Sequence, residues 1–318
     1  MSLKTVETFR PDAVVGAEIV VPGSVANLGG GFDTLGVAVE LYLRARIVDV
    51  RDDGGSRLTV SRSVPAVSGG NAVERAFELV AGRTGRRAPS VSVEVTSDIP
   101  MAAGLGSSAA ATVAGIRVFE RVTGPLEDSE LLGAATKAEG HADNAAPALF
   151  GGLNSVIEIE GGSPYSLRWA WPQDLKLVVA TPVIGLATAK ARAALPREVQ
   201  RADAIFNMQR VLALVHALQQ GDYGRLREAV KDRLHQSARS SLVPLLSEAL
   251  ALEDPDVLAA FLSGAGPSVA LLARAGATQV ATRLSSMYER AGVEASVRTL
   301  SVDDQGSRVL ESAVRRSV

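Results

Sequence analysis

Cysteine is absent from the chain, which excludes disulfides, thiolate metal sites and a cysteine nucleophile. Histidine occurs only three times, at His141, His216 and His235, too scattered for a histidine-rich metal centre. A metal here is therefore expected on oxygen ligands, which favours magnesium. Aromatic residues make up only 4% of the chain, so the 47% apolar content rests on Ala, Val and Leu, a composition suited to helices packed closely on sheets. Charge is nearly balanced, with 33 basic and 35 acidic side chains. No basic stripe points to nucleic acid, and no basic amphipathic segment points to a membrane surface. No apolar run is long enough to span a bilayer, and the first residues carry no signal-peptide pattern, so a cytoplasmic protein is expected. At 318 residues, two domains are expected rather than one.

What is present is organised around Pro100, Met101, Ala102, Ala103, Gly104, Leu105, Gly106, Ser107, Ser108, Ala109 and Ala110. A β-branched run at 91–95 precedes this stretch and a helical pattern at 107–122 follows it. Gly104 and Gly106 let the backbone turn tightly and approach a ligand. Ser107 and Ser108 stand where helix caps stand. The first amides of such a helix lack partners and carry the positive end of its dipole, a ready cradle for phosphate. A plain glycine turn with a serine cap reads equally well on this stretch alone. It is not a Walker A loop, since no Gly-Lys-Ser/Thr ends it, and the glycine spacing does not fit a dinucleotide fingerprint.

Elsewhere the chain alternates strand and helix patterns. A strand at 17–21 runs into Pro22 through Asp33, where three consecutive glycines follow Asn27 and Leu28. Asn27 offers a donor and an acceptor, and Asp33 offers a charge suited to an amine or a simple turn carboxylate. Strands are expected at 35–39, 42–50 and 57–60. A helix at 71–82 follows, with Asn71 most simply its cap and less directly a nucleotide contact. A helix at 128–139 leads into Glu139, His141, Asp143 and Asn144, a polar cluster that is either a solvated loop or a metal carboxylate beside substrate-facing groups. Glycines 161 and 162 mark a junction, which sets domains at 1–163 and 164–318. Beyond it come a strand at 175–180, a short helical run with Thr188 and Arg192, and a long helix at 201–219. Ile205, Met208, Leu212 and Val215 form the apolar face of that helix. A further helix is expected at 221–234, then His235 to Arg239 breaks the pattern. A turn carrying Gly264 and Gly266, a helix at 277–291 and a strand at 293–300 complete the chain.

The three glycine motifs in this order resemble the GHMP kinase superfamily. Within it, Asn27-Leu28-Gly29 with Phe32-Asp33, Glu139 through Pro147, Thr188 with Arg192, and Asp232 through Gln236 with Arg239 resemble the homoserine kinase family. The resemblance implies an α+β, two-domain GHMP kinase fold. Its N-terminal, ATP-binding domain would be like domain 2 of ribosomal protein S5, with a left-handed βαβ unit, and its C-terminal domain would be ferredoxin-like. It implies transfer of phosphate from ATP to the hydroxyl of L-homoserine, with magnesium (Mg2+) as cofactor, and a homodimer. The stretch 100–110, with Gly264 and Gly266, would bind ATP, the loop Gly104 to Ser108 holding its phosphates by backbone amides. Ser108 and Glu139 would hold the metal, and the Ser263 to Ser268 turn would close over the site. Arg192 and Arg239 would clamp the substrate carboxylate by forked hydrogen bonds, and Asp33 would pair with its ammonium. Asn27, Thr188 and His141 would orient the rest. Mevalonate-type relatives place an aspartate where this chain has Asn144, so catalysis by positioning and electrostatics is expected rather than by a base. The chain also has Ser237-Ala238 where the family usually has Pro-Tyr, which makes the placement of Arg239 a point for the structure. A mevalonate-like kinase would leave Asp33 without an amine to pair. A non-catalytic binding protein of the same fold would have no use for Glu139 and the serine pair.

Overall fold

In the computed structural model, residues 14–67 and 70–311 are described. The first sheet begins with β1 (Glu18–Ala26) and β2 (Leu35–Arg51). The strands expected at 35–39 and 42–50 are this single strand. Its register against β1 shifts between Pro22 and Gly23, so Glu40 and Leu41 are taken up without ending the strand. The shift divides β2 between two partners: Leu43–Arg51 pairs with β4 (Ser90–Ser97), and Leu35–Val37 pairs with β5 (Leu153–Ile157).

β3 (Leu58–Val64), α1 (Ala72–Thr84) and β4 form a βαβ unit, since β3 and β4 are parallel neighbours. α2 (Ser107–Thr123) packs on α1 so closely that a Cβ on Gly115 would meet the Val73 carbonyl oxygen at 2.1 Å. Phe77 and Phe119 meet edge to face beside that contact, with centroids 5.3 Å apart. α3 (Asp128–Glu139) and α4 (Ala145–Phe150) complete the helical layer. β6 (Tyr165–Trp169) pairs with β5.

The second sheet is built from β7 (Lys176–Pro182), β8 (Ala259–Leu262), β9 (Val269–Ala273) and β10 (Ala295–Leu300). Its order is β10-β7-β9-β8 and every pairing is antiparallel. That order and the crossover helices are those of the ferredoxin-like βαββαβ arrangement. Between β7 and β8 lie α5 (Thr188–Ala193), α6 (Arg201–Gln220), α7 (Leu226–Ala229), α8 (Gln236–Arg239) and α9 (Leu246–Leu250). α10 (Ala277–Arg290) precedes β10, and β11 (Arg308–Leu310) returns to pair with β1.

Two further sequence expectations change here. Residues 221–234 do not form one helix. Gly221 closes α6 in the left-handed region, α7 has a single turn, and the Asp232 carboxylate then gathers the amides of Leu234, His235 and Gln236. The apolar face expected on α6 is also not its buried face. Asn207, Leu214, Ala217 and Leu218 are buried, while Met208 and Leu212 are 59% and 72% exposed.

Candidate active site

The loop after β1 runs through a backbone that few residues accept. Asn27, Leu28 and Asp33 all have positive φ. Gly29 lies so near α7's exit that a Cβ would meet the Val230 carbonyl oxygen at 1.9 Å. The Asn27 side chain holds the loop's ends: its Nδ2 donates to the Gly264 carbonyl at 2.9 Å, and its Oδ1 accepts from the Asp33 amide at 3.0 Å. Asn27 is therefore already bonded on both ends of its amide.

The phosphate-type loop is fixed from behind. A Cβ on Gly104 would meet the Ser263 carbonyl oxygen at 2.3 Å, and one on Gly106 would meet Ser24 Oγ at 2.1 Å. Ser263 Oγ donates to the Gly104 carbonyl at 2.6 Å. The residue capping α2 is Gly106, not a serine, and no side chain bonds to the helix start. Ser107, Ser108 and Ala109 thus form the opening of α2, where its free amides and positive dipole end meet the cleft.

Ser108 Oγ donates to Glu139 Oε1 at 3.0 Å, so the two residues expected to hold a metal are neighbours. Thr112, buried one turn further along α2, donates to the same oxygen at 2.6 Å. One carboxylate and one hydroxyl suit magnesium, which takes most of its remaining ligands from phosphate and water. Among the described residues there is no cluster of three or more His, Cys, Asp or Glu that would compete as a metal cage.

Across the cleft, Asp143 is buried and carries two of its neighbours on Oδ1. His141 Nδ1 lies 2.5 Å from that oxygen, and the Asn144 amide donates to it at 3.0 Å. The bond to Asp143 raises the His141 pKa above its ordinary 6.5. Asn144 Oδ1 in turn accepts from Ser24 Oγ at 2.9 Å.

From the second domain, Arg192 meets Asp33 in a two-pronged pair, Nη1 to Oδ2 at 3.0 Å and Nη2 to Oδ1 at 2.8 Å. Arg239 is only 2% exposed despite the Ser237-Ala238 departure. Its Nε donates to the Ala191 carbonyl at 3.3 Å, and its Nη1 donates to His235 Nδ1 and to the Gly264 carbonyl, both at 3.1 Å. No carboxylate is among these partners. Burial and then the nearby Arg192 lower its pKa from the ordinary 12.5. The Phe32 ring lies beneath both cations, 5.3 Å from Arg239 and 5.9 Å from Arg192.

One cleft is lined by Asn27, Asp33, Ala102, Ala103, Gly104, Gly106, Ser107, Ser108, Ala109, Glu139, His141, Asn144, Thr188, Arg192, Arg239 and Gly264. A second hollow continues it past Glu139 and His141, between α1 and the end of α3, where Arg75, Leu79 and Lys137 face it. The remaining candidates lie outside the cleft wall. Asn71 caps α1, accepting from the Val73 amide at 2.9 Å. Leu105 and Ala110 point into the core, Met101 is half exposed, and Pro100 and Gly266 flank the loop without lining the cleft. Asp143, part of the polar cluster expected after 139, also lines the cleft. Thr112, Ser24 and His235 were not singled out from sequence; they bond Glu139, Asn144 and Arg239 respectively, and the sequence signal of Thr112 and His235 is their spacing of one helical turn from Ser108 and Arg239.

The GHMP kinases N terminal domain family matches residues 71–152, and the GHMP kinases C terminal family matches residues 214–290. The chain belongs to the GHMP kinase family. Its two-domain fold is the GHMP kinase fold expected from the motifs. The homoserine kinase of Deinococcus radiodurans is 42% identical over 250 residues, 78% of this chain and 81% of that protein. The homoserine kinase of Moorella thermoacetica is 36% identical over 297 residues, 91% and 98% of the two chains. Among solved structures, the homoserine kinase from Cytophaga hutchinsonii superposes with a TM-score of 0.81 at 25% identity, covering 98% of this chain and all of that one.

Proposed function

We propose that this GHMP kinase transfers the terminal phosphate of ATP to the hydroxyl of L-homoserine. The observation that carries the reading is Arg239: a buried guanidinium, with no carboxylate among its partners, facing a cleft whose opposite wall is the uncapped start of α2. Asp33, Asp232 and Asp143 act on this cation only through space, and a buried guanidinium that bonds no carboxylate is costly unless a ligand supplies one. The substrate carboxylate supplies it at Arg239, and the nucleotide phosphates lie at the helix start. Three of the five Arg239 N–H groups are bonded to the protein, so the clamp is made by Nη2 rather than by a two-nitrogen fork. Asp33 keeps lone pairs free beside Arg192 for the substrate ammonium.

Ser108 and Glu139 would hold Mg2+, and the chemistry it would supply there is neutralisation of phosphate charge. The residues of the cleft bind, orient and exclude water. Asn144 is an amide bonded at both ends and takes no proton, so the hydroxyl proton leaves to phosphate or water, and the rate comes from positioning. We place the enzyme in the cytoplasm as a homodimer. Among the described residues no helix is long and apolar enough to cross a membrane.

A coupled assay of ADP release with homoserine, threonine, serine and mevalonate tests the assignment. Turnover is expected with homoserine and magnesium. Absence of turnover with homoserine, or preference for mevalonate, defeats it.

A further inference from the structure

His235 is completely buried, yet it has no place in the chemistry above. Its Nε2 lies 2.9 Å from the Gly29 carbonyl, and its Nδ1 lies 3.1 Å from Arg239 Nη1. A guanidinium has only donors, so Nδ1 must accept there. The ring proton therefore sits on Nε2 and is given to Gly29, and the imidazole is neutral. Phe32, in the same loop as Gly29, stacks on the ring at 5.1 Å. The imidazole thus ties the loop that carries Asn27 and Asp33 to the arginine that faces it. Gly264 makes the same tie from the other side, because its carbonyl accepts from both Asn27 and Arg239.

We propose that His235 is a positioning residue for substrate recognition: by accepting from Nη1 and donating to Gly29, it turns Arg239 so that Nη2 alone faces the substrate carboxylate, in register with Asp33. Without that acceptor one buried Nη1 N–H loses its partner, and the Arg239 head, held then only by the Ala191 and Gly264 carbonyls, can shift to recover a bond. The proposal rests on the reading that Arg239 meets the carboxylate, and the test separates the two.

Two substitutions divide the two ring bonds. His235→Asn keeps an acceptor near Nδ1 and loses the donor. His235→Gln keeps a donor near Nε2 and loses the acceptor. Steady-state constants are measured for both, for Arg239→Met, and for the double variant His235→Gln with Arg239→Met. His235→Gln is expected to raise the homoserine KM by about tenfold or more, with kcat and the ATP KM within about twofold. His235→Asn is expected to keep the homoserine KM within about threefold. The double variant is expected to be no worse than Arg239→Met alone, because the histidine acts only through the arginine. If Arg239→Met leaves the homoserine KM unchanged, the carboxylate reading falls and the proposal with it. If Arg239→Met raises it while His235→Gln does not, the carboxylate reading stands and the proposal is overturned. Equal losses in the Asn and Gln variants, shared by the ATP KM, would make His235 a packing residue and also overturn it.

Discussion

Thr112 shows how a residue of this site, Glu139, is held by a neighbour one helical turn beyond Ser108. Its hydroxyl and that of Ser108 converge on one oxygen of Glu139. Groups behind a metal ligand commonly set its affinity by ten- to a hundredfold. Thr112→Val, which keeps shape and removes the hydroxyl, is expected to raise the magnesium requirement by about tenfold while leaving the homoserine KM in place. A magnesium titration of the ATPase-coupled rate checks this, and an unchanged half-saturation would remove Thr112 from the site. His235 gives a second test at the same scale. Burial pushes its pKa below the ordinary 6.5, against the pull of Asp232. Above pH 6.5 folded and unfolded chains are both neutral at this ring and it contributes no pH dependence. As pH falls below 6.5 the unfolded chain takes up the proton first, so stability is lost until the folded-state pKa is passed. Urea midpoints of the wild type should therefore drop more than those of His235→Asn between mildly alkaline and mildly acid pH. Parallel curves would mean the ring is not buried neutral. Asp33, Glu139, Arg192 and Arg239 were named from the motifs that resemble the family, and the structure brings all four to one cleft. Thr112 and His235 were not named, because a supporting hydroxyl or imidazole looks the same as any other until its partner's position is known.

At the scale of elements, periodicity found the strands and helices that face a core, and failed where a single residue redirects the chain. The register shift at Pro22/Gly23 joins two expected strands, and the Asp232 carboxylate replaces an expected helix with a turn. On α6 the apolar stripe of Ile205, Met208 and Leu212 lies on the surface, because Gly30 and Asp232 bond Asn207 and turn that polar face inward. A spacing rule assigns the apolar side to the core and cannot see a buried asparagine that has found its partners. Gly115 offers a direct test of packing between elements. It sits inside α2, where alanine is the better helix former by about 1 kcal/mol. The α1 backbone nevertheless lies 2.1 Å from where its Cβ would be, and backbone does not yield as a flexible side chain does. Overpacking of this kind costs about 1–3 kcal/mol, so Gly115→Ala is expected to be net destabilising by chemical denaturation. A gain in stability would show that α1 and α2 are free to separate.

For the whole molecule, the question is whether the two domains are also two folding units. β6 and β11 both lie past residue 163 in the chain, yet both belong to the first sheet. The core does not stop at the junction either. Leu177 and Val179 of β7, Phe261 of β8 and Leu272 of β9 belong to the same apolar cluster as Ile19, Val37 and Phe119 of the first domain. Their alternating neighbours Val178, Ala180 and Leu271 pack instead with Val280 and Leu284 of α10, so β7 is buried on both faces by different partners. A fragment ending at residue 163 would lose two strands and expose the half of the core that the second sheet covers. It is expected to lack a cooperative thermal transition and to bind a hydrophobic dye, whereas the full chain is expected to unfold in one calorimetric transition. Because the cleft draws Asn27 and Glu139 from one side and Arg192 and Arg239 from the other, homoserine should raise that single transition as a whole by binding only the folded form. A fragment that melts cooperatively near the temperature of the full chain, or a calorimetric trace that splits with only one half shifted by homoserine, would mean that the domains hold their shape separately and that the site is assembled only on docking.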